Sequence, residues 1–309
     1  YNITEPFSIF RSFNVSALQW NSLNYGGMYI NSGINLNSNS QFKNFMRYNI
    51  SYTYYGELPS STHLRGGPRF ILPSFWNLWM WLGSNSLNDL QASIYMGLDG
   101  SKENHKHSRN ISGEVDWKIS DYFNISFNLN WNQYHRALQY VSQQDFYGET
   151  QYILGTIHRE TLSSYIAVNL NLTPNMSLEY RIRPYFTSAR YDEFKLVVDG
   201  ENENLNDRFD AFDSGNISFN DGKYFCDPDR DNRWDYYFYN PDFVYNSIQS
   251  NLVFRWEYHP GSTVFLVWSL NNSIGSSDNK LVLSENIQAL QDEIPENIFL
   301  VKVSYRLGR

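Results

Sequence analysis

Apolar and polar residues alternate along nearly the whole chain, the period expected of strands with two different faces. From 42 to 54, Phe42, Met46, Tyr48, Ile50, Tyr52 and Tyr54 share one parity, and Lys43, Arg47, Asn49, Ser51 and Thr53 the other. Leu90, Ala92, Ile94, Met96 and Leu98 repeat the pattern, as do Ile111, Val115, Trp117 and Ile119, then Phe123, Ile125, Phe127, Leu129 and Trp131. It returns at Met176–Phe186, Leu252–Tyr258, Val264–Leu270 and Phe299–Leu307. Helical spacing competes nowhere. Residues 150–172 form either two strands broken at His158-Arg159-Glu160 or one long strand. Tyr152, Leu154, Leu162, Ile166, Val168, Leu170 and Leu172 are all even-numbered, which predicts a single strand of about twenty residues, longer than the roughly 9–11 that cross a bilayer.

The chain then parses into about twelve strands whose connections alternate between short and long. The predicted short turns are 37–40, 83–89, 120–121, 173–175 and 259–262, and the predicted long loops are 55–68, 100–108, 142–149, 188–245 and 271–296. This layout predicts an all-β fold, a transmembrane antiparallel up-and-down β-barrel with both ends in the periplasm and one barrel domain over 1–309. A soluble β-sandwich also alternates. Three features favour the membrane: strands beyond the usual five or six residues, aromatics at strand ends such as Trp79, Trp81, Trp256 and Tyr258, and a strongly polar second face.

Composition sharpens this picture. Aromatics make up 17% of the 309 residues and charged residues only 18%, yet the mean hydropathy is −0.52. The longest apolar stretch, Phe75–Leu82, is far short of a spanning helix. One face rich in rings and another rich in Asn and Ser account for both figures. The net charge of −8 leaves no basic stripe for nucleic acid. The single cysteine, Cys226, excludes a disulfide framework and a four-ligand zinc site, and is read as an ordinary loop thiol. The start at Tyr1-Asn2-Ile3-Thr4 is read as that of a processed or truncated product.

Several stretches carry a resemblance: Leu64-Arg65-Gly66-Gly67-Pro68, Leu172–Leu178, Asn240-Pro241-Asp242-Phe243, and above all Ser250–Trp268, whose Arg255-Trp256-Glu257 strand turns at Pro260-Gly261-Ser262. Together with Phe299–Tyr305 these resemble the C-terminal barrel domain of unknown function found in large outer-membrane proteins. The resemblance implies a bacterial outer-membrane location, an upstream periplasmic module like carbohydrate-binding family 9, and further upstream barrel sequence. It implies no activity for individual positions. The chain is therefore expected to be the C-terminal part of a longer protein.

Four sets of residues could carry chemistry. Glu179, Arg181, Arg183, Arg255, Glu257, Lys302 and Arg306 fall on the lumen parity of the last strands. They form either a ladder of opposite charges between adjacent strands or a ring for anionic solutes. Asp227, Asp229, Asp231 and Asp235 alternate as in calcium loops. The sequence has no Gly after the third Asp and has Phe238 at the twelfth position, so an acidic surface loop is expected and no metal is assigned. The histidines His63, His105, His107, His135, His158 and His259 show no spacing typical of a catalytic set, so no catalytic residue, cofactor or enzymatic activity is assigned. Finally, Phe70–Leu82 is apolar on both parities, so its inner face (Ile71, Phe75, Trp79, Trp81) is expected to meet a plug, a missing upstream segment or a partner subunit. The expected role is a non-enzymatic scaffold subunit of an envelope complex or a solute conduit. The alternatives are a barrel lipid or peptide hydrolase and a carbohydrate uptake component. The expected partners are the outer-membrane bilayer, other envelope subunits and glycans.

Overall fold

The computed structural model describes residues 1–277 and 280–307. Its twelve long strands are β1 Phe10–Leu23, β2 Tyr29–Phe42, β3 Arg47–Tyr55, β4 Phe75–Gly83, β5 Leu90–Ser101, β6 Lys106–Ser120, β7 Phe123–Phe146, β8 Glu149–Thr173, β9 Met176–Val197, β10 Phe243–His259, β11 Ser262–Ser276 and β12 Glu296–Ser304. Each pairs antiparallel with the next in sequence, an up-and-down sheet of barrel type. Tight turns at 43–46, 84–89, 121–122, 174–175 and 260–261 gather at one end, together with the start of β1 and the end of β12. The long segments 56–74, 198–242 and 277–295 gather at the other. Among the described residues β1 and β12 are not bonded to each other, and almost every β12 residue is exposed.

Exposure separates a membrane sheet from a soluble sandwich. A sandwich would hide its apolar face, but here Ile111, Phe127 and Leu129 are 45%, 40% and 43% exposed, whereas Ser51 on the polar face is 3% exposed. The apolar side is the outside. The polar side lines the concave interior, where neighbouring strands cover it.

Three predicted connections are corrected. The chain does not turn at 37–40; it turns at 43–46, where Phe45 takes φ 65° and the Met46 amide donates to Asn44 Oδ1 at 3.1 Å. Asn37, Ser38, Asn39 and Ser40 have turn-like composition because their strand lines a polar interior. The loop expected at 142–149 is a two-residue turn, since β7 and β8 stay paired up to Phe146 and Glu149. The segment 100–108 is shorter too, a single 3-10 turn at Lys102–Asn104 between strands.

Residues 149–173 form one strand of 25 residues, as predicted. Register shifts opposite it place one extra residue in β7, between Arg136 and Gln139, and one in β9, between Asp192 and Lys195, while β8 keeps its own alternation. Leu154 packs with Leu138 and with Leu64 and Phe70 of the 56–74 segment. That segment runs from the end of β3, where Arg69 Nη2 donates to Tyr29 O at 3.2 Å, to β7 and β8. Since β2 and β7 are five strands apart, it spans the loop end of the sheet. It includes the pair Leu58–Ser60 and Phe70–Leu72. Ile153, one residue from Leu154 and therefore on the opposite face, packs with Phe194, Cys226 and Phe238 of a second loop region. That region holds a small sheet of Ile217–Asn220, Lys223–Cys226 and Tyr236–Tyr239. Cys226 is thus a core residue and not an ordinary loop thiol. Burial pushes its thiol up to about 12, so a maleimide at pH 8 is expected to label it only after denaturation, which mass spectrometry checks.

On the inner face, Trp20 lies across Gly33. A Cβ there would stand 2.2 Å from Trp20 Cζ2 and 2.6 Å from the Tyr54 carbonyl. Backbone cannot give way cheaply, so Gly33→Ala is expected to cost about 1–3 kcal/mol, read as a lower urea midpoint for unfolding from detergent.

Candidate functional site

Strand register stacks the inner face of β2–β7 into rungs. At the loop end, Gly33, Tyr55, Phe75 and Ser101 are cross-strand neighbours. One rung down come Asn35, Thr53, Asn77, Asp99 and Ser108, and the next two carry Trp79, and then Asn49, Trp81, Tyr95, Ser112 and Asn130. Two chemistries alternate on this wall. The amides bond to their neighbours: Asn35 Nδ2 donates to Ser51 Oγ and Thr53 Oγ1, both at 2.8 Å, and Asn37 Nδ2 to Asn49 Oδ1 at 2.8 Å. Asn77 and Ser108 both donate to the Asp99 carboxylate at 2.6 Å. The rings stack along the wall: Tyr55 on Phe75 at 4.5 Å, Trp79 on Tyr95 at 6.0 Å, with Trp20 edge-on to Tyr55 at 5.6 Å.

The doubly apolar segment is resolved into two parts. Phe70–Leu72 belongs to the crossing segment, and Phe75–Gly83 to the wall. Ile71, Phe75, Trp79 and Trp81 are all half-buried, and the apolar surface met by Phe75 and Trp79 is the chain's own Tyr55 and Tyr95.

The charged lumen residues behave differently from the predicted ladder. Their ion pairs run along a strand, Arg181 with Glu179 at 2.9 Å and Arg255 with Glu257 at 3.0 Å, and do not bridge neighbouring strands. Residues two apart share a face and are in reach, while the pairing register sets Arg181 opposite Asn251 and Arg255 opposite Phe265. Arg183 lies over Tyr165 at 5.4 Å and Lys302 over Phe265 at 6.0 Å. Arg306 offers its backbone amide to Ser262 Oγ at 3.0 Å. Four of the charges are thereby neutralised in place.

Over the loop end, the segments 56–74 and 198–208 form a lid. Its clasp is Arg208, 1% exposed, which donates to Asn202 O and Ile71 O at 2.6 Å and to Glu203 O at 3.2 Å, with Glu57 at 3.7 Å. A second tie joins Arg69 to Glu201 at 3.3 Å. His63, within the lid, packs against Phe70 and lies 3.5 Å from Arg136 of β7. Desolvation first, then the Arg136 charge, lower its pKa to about 4, so it is neutral at pH 7. Arg208 was not singled out from the sequence; nothing local marks an arginine that bonds across 137 residues.

The other sequence candidates divide. His259 closes the turn opposite Ser262, and His105 is buried beside β7. His107, His135 and His158 are brought together in one rung across β6, β7 and β8. Asp227, Asp229 and Asp235 place carboxylate oxygens within 4.8 Å of one another on the second loop region. The Asp227 carboxylate already accepts the amides of Asp231 and Asn232, at 3.2 and 2.9 Å. The oxygens could meet a hard cation, and the loop equally reads as a self-bonded acidic turn.

A family model described as a domain of unknown function, DUF5916, matches residues 1–308. No curated protein matches the chain. Among solved structures, the copper transporter OprC is similar, with a TM-score of 0.50 and 9% identity over 97% of this chain and 44% of that one. The chain thus spans less than half the length of that structure, and the likeness concerns the fold alone.

Proposed function

Since the chain belongs to the DUF5916 family, whose description assigns no activity, we propose from its own geometry that it is a lidded outer-membrane barrel segment that passes a polar, uncharged solute of the glycan kind. The observation that supports this is the inner wall. Flat rings such as Trp79 and Tyr95 offer stacking faces for the apolar side of a sugar ring, and the amide rungs beside them offer donors and acceptors for its hydroxyls. The paired charges Glu179–Arg181 and Arg255–Glu257 reduce the field that could select an anion to that of Arg183, Lys302 and Arg306. We place the chain in the outer membrane because its apolar face is the exposed one and its fold resembles a barrel transporter. We assign it no enzymatic step.

A second reading, a scaffold subunit, is favoured by β12, whose outer edge has no strand partner among the described residues. Planar-bilayer recording of the purified protein separates the two. A conduit is expected to show unitary steps that malto- or xylo-oligosaccharides block at millimolar concentration, and Trp79→Ala is expected to weaken the block about tenfold, the loss of one stacking contact. A protein that never conducts, even with its lid released, is a scaffold.

A further inference from the structure

The histidine rung lies outside the proposed conduit. Alternation places His107, His135 and His158 on the same face as Ile111, Trp131 and Leu162, the outer one. On β6, β7 and β8, Ile111, Trp131 and Leu162 form the last apolar rung of that face before the loop end. Above it the rung is Arg109, Gln133 and Glu160, and Trp131 Nε1 donates to Glu160 Oε1 at 2.7 Å, as expected of a ring at a membrane boundary. The histidines come one rung higher, beyond the apolar band, at the wall of a cavity of about 630 Å³.

The two inner members face each other with His135 Nδ1 and His158 Nδ1 3.3 Å apart. Two imidazole nitrogens bound at about 2.0–2.1 Å in a tetrahedral shell stand about 3.4 Å apart, so this hydrogen-bonded pair needs little movement to admit an ion between its nitrogens. The far nitrogen of His158, Nε2, is 3.1 Å from Asp192 Oδ1. A carboxylate there holds the ring proton on Nε2 and leaves the Nδ1 lone pair free, the arrangement found behind metal-bound histidines. His107 stacks on His135 with centroids 4.2 Å apart and planes 17° apart, which fixes the ring without making His107 a ligand. Arg190, opposite His158 in the register, is drawn to Asp192 Oδ2 at 2.9 Å, which offsets its charge.

We propose that His135 and His158 form a two-histidine site for a late first-row divalent ion, Cu²⁺ or Zn²⁺, on the outer wall just above the apolar band, with Asp192 as the positioning residue and solvent completing the shell. Imidazole pairs select these metals over Mg²⁺ and Ca²⁺, which want oxygen. Without metal, His135 donates its Nδ1 proton to His158. On loading, the His135 proton moves to Nε2 and both lone pairs bind the ion.

The test is Cu²⁺ titration of the detergent-solubilised protein, followed by calorimetry and electron paramagnetic resonance. One ion at micromolar affinity with hyperfine coupling to two nitrogens is expected. His135→Gln and His158→Gln should each weaken binding at least tenfold. Asp192→Asn should weaken it a few-fold while keeping the two-nitrogen signature, and Asp227→Asn should leave both unchanged. Heat-modifiable mobility on gels confirms that each variant is folded. Wild-type binding weaker than millimolar, or binding that survives both histidine changes, would overturn the site. Neither outcome bears on sugar block of the conduit.

Discussion

Arg208→Ala is expected to open the lid. The guanidinium donates to three backbone carbonyls, at 2.6, 2.6 and 3.2 Å, and one of them, Ile71 O, lies in the other lid segment. Hydrogen bonds from a charged group contribute about 1.5–3 kcal/mol each, and the alanine leaves buried carbonyls without donors. A loss of about 3–5 kcal/mol in lid seating follows, the scale of breaking a buried polar cluster. The strands do not depend on this residue, so the sheet should survive. Limited proteolysis should cut within 56–74 in the variant and not in the wild type, and conductance should rise. Arg208→Lys should recover only part of the effect, since an ammonium cannot reach three carbonyls in a fixed fork. A variant that resists protease as the wild type does would show that the clasp is elsewhere, in Arg69–Glu201 or in the Leu64–Phe70 packing.

Much of the wall was legible in the sequence, because a sheet of this kind writes its two faces into alternate residues. Ile111, Val115 and Trp117 were assigned to the outer face by that rule, and the structure exposes them there. The rule fails where a strand changes which face it shows. β7 gains an extra residue between Arg136 and Gln139 and β9 one between Asp192 and Lys195, so the parity of those two strands changes there while β8 between them keeps its alternation. A bulge costs one residue and leaves no compositional mark. Turn chemistry misled for the opposite reason. Asn37–Ser40 has the residues of a turn because Asn and Ser also suit a wet interior, and only the bonds from Asn35 and Asn37 to β3 show which role they take. The candidate site was legible only in part. The inner aromatics Phe75, Trp79 and Trp81 were marked by an apolar run on both parities. The lid was hidden, since Arg208 and Ile71 meet across 137 residues. The histidine rung was hidden as well: positions 107, 135 and 158 gain their relation only from the register of three strands.

Acidification is expected to release the same lid, through His63. Seated, this ring is packed against Phe70 with the Arg136 guanidinium 3.5 Å from Nδ1. Burial and that like charge hold its pKa at about 4, and a hydrogen bond with the Leu138 backbone offsets only part of this. In the released lid the ring regains an ordinary value near 6.5. The released form therefore binds a proton that the seated form excludes. Its contribution to seating is complete above pH 6.5, falls as the pH drops from 6.5 to 4, and is gone below 4. The span corresponds to about 2–3 kcal/mol, taking partial exposure into account. Protease cleavage within 56–74 should rise steeply between pH 6.5 and 4.5 in the wild type. His105 also lies near Arg136 with its pKa lowered by burial, so His105→Gln should remove a smaller share of the response. His63→Gln keeps a neutral polar side chain of similar reach and cannot titrate, so its cleavage should keep only the smaller His105 share of the rise across the same range. An unchanged pH profile in His63→Gln would remove His63 from the lid's acid response.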